Sequence, residues 1–181
     1  MPDVPRADEI QDGLNLIETR SGALGRFLRA YAQLARLPKP QTRDVRIRPL
    51  VHRIAELENR VPIRLNGGED LQVTADPDQL EQLLINIVRN AADATLESGA
   101  GGSVSLDWKQ VDGALQVTID DEGPGLPDTS NLFVPFFTTK PAGSGIGLAL
   151  SRQIAEAHGG TLSLENRHDT TGCRATLRLP L

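Results

Sequence analysis

The chain has 181 residues, 39% of them hydrophobic, enough for one domain with a buried core and an appendage. A formal net charge of -5 and a pI near 5.2 give no basic field for nucleic acid, so no nucleic-acid partner is expected. The single cysteine, Cys173, excludes an internal disulfide. No signal-peptide pattern and no apolar run of about 18 residues is present, which predicts a cytoplasmic setting for these residues.

From about Asp8 to Leu37, Ile10, Leu14, Ile17, Leu24, Leu28, Tyr31 and Ala35 recur in steps of three and four, predicting a long amphipathic helix. Leu16, Phe27, Leu34 and Leu37 widen that face beyond a two-stranded seam, toward a helical bundle. Pro38-Lys39-Pro40 ends the pattern, and a boundary is expected within residues 38–44 because proline cannot continue the helix. A strand over Val45 to Arg48 and a helix over Pro49 to Asn59 follow, then strands over Pro62 to Leu65 and Leu71 to Thr74. Asp76, Pro77 and Gln79 read as N-cap, first helical residue and capping-box partner of a helix reaching about Glu97. Ser103 to Gln110 and Ala114 to Asp120 form a predicted hairpin about Asp112-Gly113. A long irregular segment spans about Asp121 to Gly143, a helix runs from about Ser144 to His158, and strands are expected over Thr161 to Glu165 and Arg174 to Leu179.

Three features carry chemistry. On the helix after Asp76, Leu80, Leu83, Leu84, Ile87, Val88 and Ala91 make the apolar face, while Asn86, Asn90 and Asp93 share another. An amide oxygen is a hard neutral ligand suited to Mg²⁺ shared with phosphates, although a solvated helix face has the same pattern. In Asp121-Glu122-Gly123-Pro124-Gly125, glycines permit tight turns and close approach of a ligand, and the aspartate can accept from an adenine amino group. Gly143-Ser144-Gly145-Ile146-Gly147-Leu148 feeds a helix whose first N–H groups suit an anion. It is not a Walker loop, since no Lys-Ser or Lys-Thr pair follows; the nearest lysine is Lys140, upstream, within reach of a terminal phosphate. Phe133, Phe136 and Phe137 crowd the irregular segment and suggest a docked loop or a lid.

The series Asn86-x-x-x-Asn90-Ala91, Asp121-x-Gly123-x-Gly125, Pro135-Phe136-Phe137-Thr138-Thr139-Lys140 and Gly143-x-Gly145-x-Gly147-Leu148 resembles the N, G1, F and G2 boxes of sensor histidine kinases, nearest to the nitrogen-regulation type. These kinases share a superfamily with DNA gyrase, mismatch-repair and heat-shock chaperone ATPases. The resemblance runs from about Val45 to the C-terminus and implies a Bergerat-type α/β fold, an α+β two-layer sandwich with helices on one face of a mixed sheet. It also implies that Asn90 holds Mg²⁺ and that Asp121 reads adenine. Asn86, Asp93, Lys140, Gly143, Ser144, Gly145, Ile146, Gly147 and Leu148 would border the nucleotide, Leu126 would line the base pocket, and Thr176 would stand near adenine. Asn86 occupies the place where hydrolysing relatives carry a glutamate, and an amide cannot act as a general base, which favours transfer over hydrolysis.

Residues 1–40 resemble the second helix of a dimerisation bundle with its proline hinge, and residues 41–181 a catalytic domain. Homodimerisation through residues 8–37 and a response regulator partner are expected from that likeness. No histidine has the acidic neighbour of a phosphoacceptor: His52, His158 and His168 all lack it. The acceptor helix, with any sensor or membrane segments, is therefore expected in a larger protein. A nucleotide-regulated interaction module or an anti-sigma-type serine kinase would share the same site.

Overall fold

The computed structural model describes residues 7–35, 37–99, 101–127, 131–138, 140, 143–168 and 170–181. Thr139 and the side chains of Leu24, Phe27, Tyr31, Leu34 and Ala35 lie outside what is described.

Helix α1 covers Ala7–Ala35 and ends ahead of Pro38, as the missing N–H of proline requires. Ile10, Leu14, Leu16, Ile17 and Leu28 on it are each more than half exposed. No described helix is long and apolar enough to cross a membrane. Strand β1, Arg43–Arg46, begins two residues before the expected start and passes directly into α2, Ile47–Leu57. Val45 on the strand and Ile47 at the start of the helix are both buried in the core.

Strands β2, Ile63–Leu65, and β3, Gln72–Ala75, lead to α3, Pro77–Glu97. Asp76 caps α3 by accepting from the N–H groups of Asp78 and Gln79, both at 3.1 Å. The expected capping box does not form. Gln79 instead donates from Nε2 to the Pro38 carbonyl at 3.0 Å, because the linker chain occupies the space above the helix start. Gln41 N–H donates to Asp76 Oδ2 at 2.8 Å, and Leu37 packs on the core. His158 joins the same cluster, its Nε2 accepting the Asp76 N–H at 2.9 Å while Nδ1 faces the Ile154 carbonyl at 2.8 Å.

Strands β4, Val104–Val111, and β5, Ala114–Asp120, form the expected hairpin, with Asp112 at φ 50° and Gly113 at φ 74° in its turn. Both positive angles are what a two-residue primed turn demands. Helix α4, Gly147–Ala157, starts three residues later than expected, since Gly145 at φ 66° stands outside helical geometry. Strands β6, Thr161–Asn166, and β7, Cys173–Pro180, complete the chain.

The main sheet has the order β2-β4-β5-β7-β6, parallel at β2–β4 and antiparallel elsewhere, while β1 and β3 pair in a separate ribbon. Leu106 and Trp108, Leu115, Val117 and Ile119, and Ala175, Leu177 and Leu179 form its covered face. They meet Leu50, Val51 and Ile54 of α2, Leu80 to Val88 of α3, and Leu150 and Ile154 of α4 in one core. Residues of opposite parity, among them Asp107, Thr118, Asp120, Arg174, Thr176 and Arg178, line the uncovered face. The expected two-layer sandwich with helices on one face of a mixed sheet is the observed architecture.

Candidate functional site

Burial along α3 alternates with helical period: Leu83, Leu84, Ile87, Val88, Ala91 and Ala92 are buried, whereas Asn86, Asn90 and Asp93 are half-buried on the adjoining face. Asn86 donates from Nδ2 to Ser151 Oγ of α4 at 2.9 Å. A side chain at Gly147 would collide with the Asn86 amide, so glycine is what lets the first turn of α4 approach this stripe. Asn90 makes no hydrogen bond among the described residues, which leaves its amide oxygen open.

Asp121, at the end of β5, is buried at 5% exposure. Its Oδ1 accepts the N–H groups of Gly123 at 2.9 Å and Cys173 at 3.0 Å. Oδ2 takes no hydrogen bond among the described residues, so one oxygen is pinned by backbone and the other can accept from a ligand. Burial pushes the carboxyl above the usual aspartate range, against the pull of the Cys173 and Gly123 amides. Gly123 lies so close to α3 that a Cβ would sit 2.7 Å from that of Ala94. Gly172, at φ 132°, backs onto the Asp121 carbonyl with no room for a Cβ. The loop is thus fixed from both sides.

The placement of the strand residues departs from expectation. Cys173, not Thr176, stands beside Asp121; Thr176 is three residues on, of opposite parity, and lines the uncovered face of the sheet. Burial pushes the Cys173 thiol up to about 12, with the Asp121 charge adding to it, so it is an inert neighbour. Leu126 is half-buried and held by its N–H to Asn166 Oδ1 at 2.6 Å.

Between the loops, Phe133 is partly buried with the Arg152 guanidinium 4.0 Å from its ring centre, whereas Phe136 and Phe137 are exposed. Phe136, at φ 70°, donates its N–H to the Gly145 carbonyl at 2.8 Å, and its backbone fills the space where a Gly145 side chain would be. Ser144 and Gly143 are exposed, Ile146 is buried and Leu148 half-buried. Lys140 Nζ donates to Asp93 Oδ2 at 2.7 Å, and Arg60 donates to Asp93 Oδ1 at 2.7 Å while also pairing with Glu58. Burial opposes ionisation of Asp93, but the bonds from Lys140 and then Arg60 hold its carboxyl below the usual range.

Sequence reasoning missed Arg60, Ser151, Asn166 and Cys173. None of the four lies within a motif read from the sequence.

The family model for "Histidine kinase-, DNA gyrase B-, and HSP90-like ATPase" matches residues 75–181. Sensor protein FixL of Bradyrhizobium diazoefficiens is 34% identical over 172 residues, covering 90% of this chain and 34% of the relative. The chain spans about a third of the length of the curated sensor kinases it matches. Among solved structures, the catalytic domain of histidine kinase ThkA, nucleotide free, aligns at a TM-score of 0.69 and 29% identity over 77% of this chain and 95% of that one. Full-length ShkA in complex with AMPPNP aligns at 0.76 and 25% identity, over 98% of this chain and 40% of that one. Four motifs and these likenesses agree: the chain belongs to the histidine kinase-, DNA gyrase B- and HSP90-like ATPase family, within which it is an ATP-binding region of the sensor-kinase kind.

Proposed function

We propose that this chain is the catalytic part of a two-component sensor kinase that passes the γ-phosphoryl of Mg-ATP to the imidazole of a histidine on a separate bundle helix. The observation that carries the transfer step is Asn86. It stands against the first turn of α4 as an amide bonded to Ser151, where hydrolysis would need a carboxylate to deprotonate water.

Asp121 Oδ2 would accept from the adenine amino group and reject guanine, which presents an oxygen there. The N–H groups opening α4 would face the phosphates, with Gly145 and Gly147 keeping side chains away. Asn90 has an open amide oxygen that fits Mg²⁺, and the ion would supply neutralisation of phosphate charge. The protein's share of the work is to position and to stabilise charge.

The histidines of this chain support an acceptor elsewhere. His158 has both ring nitrogens engaged and His52 stands edge-on to Trp108 at 6.4 Å between ring centres. The exposed apolar residues of α1 support a homodimer through residues 8–37, and a response regulator would take the phosphoryl group onward.

Incubation with labelled ATP and a peptide carrying the acceptor helix tests the reading. Acid-labile label on the added helix and none on this chain is expected. Label on His52, His158 or His168, or nucleotide binding with no transfer, overturns it. Asn90→Ala is expected to abolish Mg²⁺-dependent nucleotide binding without a change in melting temperature, because its side chain holds nothing in the fold.

A further inference from the structure

Lys140 is the residue expected to meet a terminal phosphate, yet it is bonded elsewhere. Its partner Asp93 lies seven residues beyond Asn86 on α3, so the pair stands roughly 10 Å along the helix from the first turn of α4. It is nearer the Asp121–Gly125 turn, which packs on Ala94. Serving a phosphate at the α4 N-terminus requires Lys140 to leave Asp93.

The wiring of the cluster makes that departure inexpensive. Glu58, Arg60, Asp93 and Lys140 form an ionic chain in which Arg60 and Lys140 occupy different oxygens of Asp93. When Lys140 leaves Oδ2, Oδ1 keeps Arg60 at 2.7 Å. The Asp93 side chain is 34% exposed, so water can take the vacated oxygen and no buried charge is orphaned. At the other end, Lys140 is anchored on the irregular segment, where its N–H donates to Thr138 Oγ1 at 3.1 Å and its carbonyl accepts from Gly143 at 3.0 Å. A move of Lys140 is therefore transmitted to the segment that leads into α4.

We propose that Asp93 is a specificity-determining residue that acts through Lys140: it competes with the terminal phosphate of the nucleotide for the ammonium, and only a polyphosphate long enough to draw Lys140 away recovers that interaction. In the nucleotide-free chain the same pair ties Lys140, and through it Thr138 and Gly143, to α3. The inference rests on the kinase reading of the site for the identity of the ligand, while the nucleotide-free half of it does not.

The experiment is a double-mutant cycle on Asp93 and Lys140. Affinities for Mg-AMPPNP and Mg-ADP are measured by calorimetry for the full chain and for D93N, D93A, K140M and D93N with K140M; hydrogen exchange of residues 131–146 is followed without nucleotide. D93N and D93A are expected to tighten Mg-AMPPNP binding about two- to fivefold, the size of an exposed ion pair, and Mg-ADP binding less. In the K140M background D93N is expected to change nothing. Without nucleotide, D93N and K140M are each expected to speed exchange in residues 131–146. Weaker or unchanged Mg-AMPPNP binding in both Asp93 variants overturns the proposal, as does tightening that persists without Lys140, which would be a field effect of the lost charge. A parent chain that binds neither nucleotide refutes the kinase reading instead, and unaltered exchange in the single variants then refutes the nucleotide-free role of the Asp93–Lys140 pair.

Discussion

The two glycine loops of the site are held in opposite ways. In the Asp121–Gly125 turn Asp121 and Gly123 are buried and tied to main-chain groups: two amides converge on one carboxylate oxygen, and Gly123 and Gly172 let α3 and β7 press against it. The described residues between Leu132 and Ile146 expose two phenylalanines and, beyond main-chain bonds among themselves, meet the helices through side chains, an ion pair to Asp93 and an Arg152–Phe133 contact. An exposed pair of that kind contributes no more than about 1 kcal/mol, whereas each bond to a buried carboxylate is worth about 1.5 to 3 kcal/mol. In the proposed reading, recognition of the base falls to the rigid loop and motion to the soft one.

The largest effect that would break this contrast is on Asp121. Asp121→Asn presents an amide where an acceptor is needed, and calorimetry should show ATP binding weakened at least about tenfold, with discrimination against GTP lost. Unchanged selectivity would remove Asp121 from base recognition.

The rigidity of that loop is tested by Gly172→Ala. A Cβ there meets the Asp121 carbonyl at a backbone angle that favours glycine, and a loss of about 1 to 3 kcal/mol in urea unfolding is expected. A cost near zero would show the loop to be as yielding as the segment that carries Phe136 and Phe137.

Acidity separates two roles of the same carboxylate. Because burial raises the folded-state value of Asp121 above its unfolded value, its contribution to stability is present below the ordinary aspartate range and lost as pH rises through the raised value. Adenine recognition needs the ionised form, so ATP affinity should rise with pH over that same window. Parallel titrations of melting temperature and ATP affinity should therefore slope in opposite directions, and Asp121→Asn should flatten both.

The smallest effect is expected on the soft side. Phe137→Ala, at an exposed position, should shift unfolding by no more than about 0.5 kcal/mol. A larger loss would mean that the segment is part of the core.

Much of this was legible in the sequence, and the reason differs by element. Helix α3 announced itself through Asp76-Pro77 and a long apolar period, and the β4–β5 hairpin through Asp112-Gly113, because caps and primed turns are local chemistry. Tertiary contacts were not legible. Gln79 abandoned the capping box for the Pro38 carbonyl, a partner forty-one residues away. Arg60 reaches Asp93 across thirty-three residues, and nothing in its neighbourhood marks it. Thr176 failed on parity, since a shift of an odd number of residues along a strand changes the face on which a side chain stands. The loops themselves were recognisable from their glycines, but which neighbour required each glycine was visible only once α3, α4 and β7 were in place.

The hydrogen bonds around Asp76 have a mechanical consequence. The linker is fastened at Pro38 and Gln41 to the residues that begin α3, and the same helix carries Asn86 ten residues, roughly 15 Å, further on. Pulling or twisting the chain at the linker would load the first turn of that helix before any other part of the domain. Detaching it would strip the Gln79 and Asp76 partners together, leaving a buried amide unpaired at a point that His158 ties to the far end of α4. Helices α3 and α4 thus share one fixed end, and a force on the N-terminal arm has a short rigid lever to Asn86.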